Sequence, residues 1–272
     1  MKRWRWRGLA MVLPVTLMVV ALVGGVALLP RHAAADDAMD ARHLVEKAQQ
    51  TLEDFSHAEE MESFRSLVKS ARGIFIAPQI LKGAFFIGGS GGSGVLIARD
   101  TLTGRWTGPA FYTMGSVSFG LQIGGQASEV ILVIMTQRGI NALMNSSVKL
   151  GADIGVAAGP VGMGAAASTA NLSADIVSFA RSKGLFGGIS VDGAVVGTRN
   201  DWNDAYYGKV LTANEIFRKR TVRQHHSLSL LRTAAKLSGG GMPLTKEEAA
   251  KEREGRPGEA PPPPDKEGRP GE

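Results

Sequence analysis

Glycine placement constrains this chain more than any other feature. Thirty-five of its 272 residues are Gly, and between Gly73 and Gly208 they recur inside short runs of small and β-branched residues. Examples are Gly83-Ala84-Phe85-Phe86-Ile87-Gly88-Gly89, Gly91-Gly92-Ser93-Gly94-Val95-Leu96-Ile97-Ala98-Arg99 and the stretch from Gly184 to Gly193. Gly weakens a strand interior unless the backbone must bulge, bend or approach another segment closely. The pattern therefore predicts tightly curved, closely packed β structure. Side chains are expected to be excluded at Gly92, Gly94 and Gly187.

Around that block the periodicity changes. Ala41, Leu44, Val45, Ala48, Leu52 and Phe55, then Met61, Phe64, Leu67, Val68 and Ala71, recur at helical spacing. They predict one or two amphipathic helices over 38–71 whose acidic polar face turns away from anionic surfaces and whose apolar face packs on the domain. Strands are expected at 84–87, 95–98, 110–114, 116–123, 129–135, 153–157, 175–180 and 185–196, bounded by Gly, Pro, Asn and Asp. Val130-Ile131-Leu132-Val133-Ile134-Met135 is apolar throughout and reads as a central strand covered on both faces. Residues 137–145 read as a short helix, and Thr212-Ala213-Asn214-Glu215 as a capping box. The fold class is α+β: a curled antiparallel β-sheet or small barrel-like sandwich, with N-terminal amphipathic helices and a C-terminal basic helical segment.

The two ends differ from the middle. Lys2, Arg3, Arg5 and Arg7 precede an uncharged apolar run from Gly8 to Leu29, followed by Ala33-Ala34-Ala35 before Asp36. A basic region, an apolar region and an Ala-x-Ala site make a secretory signal over 1–35, with retention as a membrane anchor the other reading. Either way, the rest of the chain is exported. Residues 36–238 form the domain with its flanking helices. Residues 239–272 contain Pro261-Pro262-Pro263-Pro264 and Glu-Gly-Arg-Pro-Gly-Glu twice, a composition that cannot bury enough surface to order itself.

The net charge of +6 largely reflects five bases in residues 1–35, so it does not point to nucleic acid. Residues 209–236 hold seven bases and one acid, whereas residues 36–208 hold thirteen bases and sixteen acids. The exported chain is thus electrically polarised. It has no Cys, which excludes disulfides, thiolate nucleophiles and Cys-ligated zinc.

Motifs for catalysis are missing. Gly89-Ser90-Gly91-Gly92-Ser93-Gly94 fits G-x-G-x-x-G, but strand-like Val95-Leu96-Ile97-Ala98 follows where a dinucleotide site needs a helix N-terminus. A glycine hairpin or bulge is the expected structure there. His32, His43, His57, His225 and His226 form no H-E-x-x-H pattern and read as solvated side chains. Asp153, Asp175 and Asp192 read as turn or strand-edge acids. Trp106, Trp202, Tyr206 and Tyr207 read as closing the core, with a bilayer interface as the second reading. The chain is expected not to be an enzyme and to need no cofactor and no metal.

A set of stretches in fixed order carries a family likeness. They are Ala71-Arg72-Gly73-Ile74-Phe75-Ile76-Ala77-Pro78, Gly91-Gly92-Ser93-Gly94-Val95-Leu96, Arg105-Trp106-Thr107-Gly108-Pro109, Gly120-Leu121-Gln122-Ile123-Gly124, Ala157-Ala158-Gly159-Pro160-Val161-Gly162, Gly184-Leu185-Phe186-Gly187-Gly188 and Ala205-Tyr206-Tyr207-Gly208. Over residues 40–210 the chain resembles the SYLF domain, a lipid-binding module of bacterial envelope proteins and of eukaryotic proteins that couple membranes to actin. The resemblance implies non-catalytic lipid binding at a phospholipid or membrane surface, in the periplasm or anchored in the inner membrane. A structural role contacting cell-wall polymer or an envelope protein partner is the alternative.

The expected headgroup contacts are Arg218, Lys219, Arg220 and Arg223 with Lys209; Lys82, Arg99 and Arg105 with Trp106 are the candidates if the site lies elsewhere. Leu228, Leu230, Leu231 and Leu237 would insert shallowly if they share one exposed face, or pack on the domain if they do not.

Overall fold

The computed structural model describes residues 33–84, 87–119, 124–162, 174–218 and 224–241. Residues 1–32 of the expected signal segment 1–35, and 242–272 of the expected tail 239–272, lie outside these residues.

Helix α1 (Ala33–His57) opens the fold, and a short 3-10 turn (Glu59–Met61) leads to α2 (Glu62–Ser70). Four long strands follow: β1 (Gly73–Ala84), β2 (Ile87–Arg99), β3 (Trp106–Phe119) and β4 (Gly124–Ile134). Helix α3 (Gln137–Leu143) and five short strands come next: β5 (Ser147–Lys149), β6 (Val156–Ala158), β7 (Ile176–Ser182), β8 (Leu185–Gly188) and β9 (Val195–Thr198). Helices α4 (Asn200–Tyr207), α5 (Ala213–Arg218) and α6 (Leu228–Ser238) close the domain. All nine strands belong to one strongly curled half-barrel sheet of order β5-β9-β3-β2-β1-β4-β7-β6, with β8 paired to β7. Pairing is antiparallel apart from β6 against β7. Helix α1 lies against β1 and β2, helices α4, α5 and α6 lie against β3, and α2 packs on α6.

The apolar run of β4 occupies the centre. Val130 to Ile134 are at most 1% exposed, between β1 and β7. Side chains on both faces of this strand are covered, which is why its sequence does not alternate. Phe55, Phe64, Phe75, Phe111 and Phe179 fill the space between sheet and helices. They meet neighbouring rings edge to face, as in Phe55 on Phe64 and Phe64 on Phe179.

Several sequence expectations are corrected. The Gly89–Gly94 run is neither a hairpin nor a bulge; it is the interior of β2, paired to β1 on one side and β3 on the other. The bulge sits opposite, in β1. Between Ile76 and Leu81 that strand advances five residues while β2 advances four, from Val95 to Gly91. Between Ala77 and Ile80 it advances three while β4 advances two. Gly92 faces this extra residue, and a Cβ there would collide with the Gln79 carbonyl. A Cβ at Gly94 would lie 2.5 Å from the Phe75 ring and 2.8 Å from the Ile76 carbonyl oxygen. Gly187 is different, since nothing lies within 4 Å of its Cβ position. The excluded position is its neighbour Gly188, which approaches the Gly159 backbone.

Of the strand expected at 84–87, Ala84 ends β1, which already begins at Gly73, and Ile87 begins β2, while residues 85 and 86 lie outside the described residues. The single strand expected over 185–196 is two, because the chain turns between them with Gly193 at φ 79°.

The aromatic residues close the core. Trp106 is 1% exposed and donates its indole N–H to Ser238 Oγ at 2.9 Å. Tyr207 is buried and donates to the Pro109 carbonyl. Burial raises the phenol pKa of Tyr112, Tyr206 and Tyr207 well above the usual value, so all three stay neutral.

Candidate anion-binding surface

The acids of α1 serve docking. Asp37 accepts from the Trp202 indole at 3.1 Å and Glu53 from Thr233 at 3.1 Å, while Glu46 contacts His226 at 3.0 Å. The hydrogen bond from His226 holds the Glu46 carboxyl below the ordinary carboxylate range. Asp54 and Glu129 together clamp the Arg181 guanidinium, which raises its pKa further. His226 therefore bridges α1 to Tyr206 and is only half exposed, a correction to its reading as a solvated side chain. Asp175 is 5% exposed and forks with Arg138, with Thr136 Oγ1 and the Gly155 N–H as further donors. Arg138 holds its carboxyl below the usual range. Asp153 and Asp192 cap local turns. Among the described residues, no group of three His, Cys, Asp or Glu could hold a metal ion.

Cations without such partners gather at one end of the half-barrel. The β2–β3 hairpin, the end of α2 and the end of α6 meet there. Arg99 donates to the Gly104 carbonyl at 3.1 Å and the Lys69 carbonyl at 3.2 Å, so its charge faces no carboxylate. A hollow of about 330 Å³ is lined by Ser70, Arg72, Arg99, Asp100, Thr101 and Gly104. A second, of about 480 Å³, brings Lys69 and Arg65 to Lys236, with Glu53 and Glu62 on its wall. A third, of about 420 Å³, lies between Arg232, Lys236 and Gly240. Gly240 in turn meets the Gly104 carbonyl, and Gly241 bridges Arg105. The hollows thus form one continuous collar around the hairpin. The side chains of Lys69, Arg72, Arg232 and Lys236 are exposed and make no hydrogen bond or ion pair with the described residues. Such charges keep their full attraction for anions.

The residues singled out in the sequence are distributed unevenly. Arg99 and Arg105 lie in the collar. Trp106 follows them directly but is buried, so it supports the hairpin from within. Lys82 is exposed near the opposite end of β1, nine residues from Gly73 or roughly 30 Å along the strand. Lys209 is exposed just past α4, and Arg218 is exposed at the end of α5. Lys219, Arg220 and Arg223 lie outside the described residues. The leucines pack on the domain: Leu230 is 0% and Leu231 5% exposed, and Leu237 packs against the core. Arg232 and Lys236 belong to the basic segment over 209–236, whereas Lys69 and Arg72 are not among the contacts expected from the sequence. Of these two, only Arg72 carries a linear signal, as the Arg in Ala71-Arg72-Gly73.

No described helix is long and apolar enough to cross a membrane.

Residues 115–237 match the profile of the Ysc84 family, described as Las17-binding protein actin regulator. The chain is 32% identical to LAS seventeen-binding protein 3 of Saccharomyces cerevisiae over 158 residues, which are 57% of this chain and 34% of that protein. Protein YSC84 of the same yeast is 31% identical over 159 residues, 57% and 33% of the two chains. SH3 domain-containing YSC84-like protein 1 of Homo sapiens is 28% identical over 152 residues, 55% and 44% of the two. The chain thus spans between a third and a half of the length of these relatives. Residues 115–237 are thus a match to the Ysc84 (SYLF) domain family, and the relatives that carry the family's name are about 30% identical to this chain.

Proposed function

We propose that this chain is a non-catalytic binding protein whose domain attaches reversibly to anionic phospholipid headgroups on the exported side of a bacterial envelope. The gathering of Lys69, Arg72, Arg232 and Lys236, whose side chains meet no carboxylate among the described residues, is the observation that carries this reading. Each Lys or Arg near an anionic leaflet contributes about 1 kcal/mol, falling off within a Debye length. Engagement of Lys69, Arg72, Arg99 and Lys236 would therefore give useful but releasable attachment. Among the acids of α1, Asp54 pairs with Arg181 and Glu46 contacts His226, while Glu53 stays on the wall of the second hollow and sets a limit on the attraction there. The test is co-sedimentation of the full chain, at limiting lipid, with phosphatidylglycerol or phosphatidylcholine vesicles. The bound fraction should be larger on phosphatidylglycerol, and the excess should vanish at high salt. Equal binding to both vesicles would overturn the reading.

A protein partner is the second reading. It is favoured by the family description and by the yeast relative's name, both of which speak of Las17 binding. In that case the collar meets an acidic protein face in the envelope. The same cations would then matter for partner capture and not for vesicles.

A further inference from the structure

We infer that the β2–β3 hairpin is a membrane-insertion tip, with Leu102 entering the headgroup–acyl boundary while the collar around it holds the phosphates. This rests on the headgroup reading above and assigns it an orientation and a contact residue. Leu102 is 80% exposed at the apex of the turn. Lone exposed leucines are common, but this one is held outward by a stapled turn. Asp100 Oδ1 accepts from the Leu102 N–H at 2.9 Å and the Thr103 N–H at 2.8 Å. The Asp100 N–H donates to the Arg105 carbonyl at 2.8 Å, and the Gly104 N–H to the Asp100 carbonyl at 2.9 Å. Gly104 takes φ 69°, which lets the chain return, and the Arg99 guanidinium locks onto its carbonyl.

The surroundings match the vertical order of a bilayer interface. An apolar side chain leads, and cations stand behind it at phosphate depth. Arg72 and Arg99 share a hollow with Thr101 and Gly104, so they stand beside the turn that carries the leucine. Lys236 and Arg232 stand beyond Gly240, on the other side of the same turn. Asp100, the acid nearest the tip, spends one carboxylate oxygen on the two turn N–H groups. Leu185, 76% exposed, lies at the β7–β8 turn, whose neighbouring groove holds Asp54 and Glu129 beside Lys183 and Arg181. Lys47 lines the same groove, so the charge there is of mixed sign and Arg181 is already held by the two acids.

The chain has no Cys, so Leu102→Cys gives a unique thiol for an environment-sensitive nitrobenzoxadiazole dye. The full chain carrying the dye is mixed with phosphatidylglycerol or phosphatidylcholine vesicles, with Leu185→Cys as the comparison site. The expected result is a blue shift and intensity gain at position 102 on phosphatidylglycerol alone, and no change at 185. Leu102→Asp should lower apparent affinity for phosphatidylglycerol vesicles about tenfold, as expected for losing one shallowly buried leucine. If the chain favours phosphatidylglycerol in a salt-sensitive way but the dye at 102 is unchanged, or changes no more than at 185, the insertion tip is wrong and headgroup binding stands. If the bound fraction does not distinguish the two lipids, the headgroup reading fails and the tip fails with it.

Discussion

The Trp106 indole N–H donates to Ser238 Oγ across 132 residues of sequence, joining the first residue of β3 to the last residue of α6. Ser238 also lies within 3.3 Å of the Gly240 N–H, so one hydroxyl organises the junction of hairpin and helix end. Ser238→Ala would leave a buried indole donor without its acceptor. A loss of about 1–3 kcal/mol in unfolding free energy is expected, measured by urea denaturation. An unchanged midpoint would show that the junction does not depend on this bond.

The glycines of β2 and β8 give a paired test. Gly92→Ala should destabilise by about 3 kcal/mol or more, because the added methyl meets the Gln79 backbone, which cannot rotate away. Gly187→Ala should stay within about 0.5 kcal/mol, since its Cβ position is open. Thermal melts of both variants decide the matter, and similar losses in the two would refute it.

Asp175 predicts an acid dependence. Arg138, Thr136 and the Gly155 N–H favour its charged form, so its folded pKa lies below its unfolded value. A carboxylate of this kind contributes stability above its unfolded pKa of about 3.9, and the contribution is lost as pH falls through the lower folded value. Asp175→Asn should therefore be less stable than the parent at neutral pH, and the gap should narrow in acid below that value. Melting temperatures taken across pH 2 to 7 would show a constant gap if the charge plays no part.

Charge reversal tests the collar. Lys69→Glu with Lys236→Glu should reduce the phosphatidylglycerol-dependent bound fraction by more than tenfold in affinity, given about 1 kcal/mol per cation removed and a similar repulsion added. Lys82→Glu, at the far end of β1, should have little effect. Equal losses in the two variants would place the contact elsewhere.

Export has its own measurement. Intact mass of the protein from the envelope fraction should begin near Asp36, which preserves the Asp37 contact with Trp202. A full-length mass in the membrane fraction would favour the anchor, and a full-length protein in the cytoplasm would refute both.

Local patterns carried well from sequence to structure. The helical spacing of Ala41 to Ala71 became α1 and α2, and the unbroken apolar run at Val130 became the covered centre of the sheet. The Thr212 to Glu215 box forms as expected, with the Glu215 N–H donating to Thr212 Oγ1 and the Thr212 N–H to Glu215 Oε2. Glycine-rich strands did not read cleanly. Gly89 to Gly94 looks like a turn because it lacks side chains, yet it is interior strand made necessary by a bulge in another strand. The collar was only partly visible for a similar reason. Arg99 stood out beside a motif, but Lys69 and Lys236 lie 167 positions apart and meet only after α2 and α6 pack.

The extra residue in β1 has a consequence for how this sheet can vary. Strand side chains alternate between faces, so one inserted residue reverses the alternation for everything after it. The first part of β1, Ile74 to Ala77, is sealed from solvent, while beyond the bulge Ile80 still points inward and Leu81 stands 56% exposed. Deleting Gln79 would re-phase the strand. Leu81, Lys82 and Gly83 would each exchange faces or slip against both β2 and β4 at once. The bulge and Gly92 thus behave as insertion and relief, and a side chain can enter position 92 only where β1 has lost the bulge.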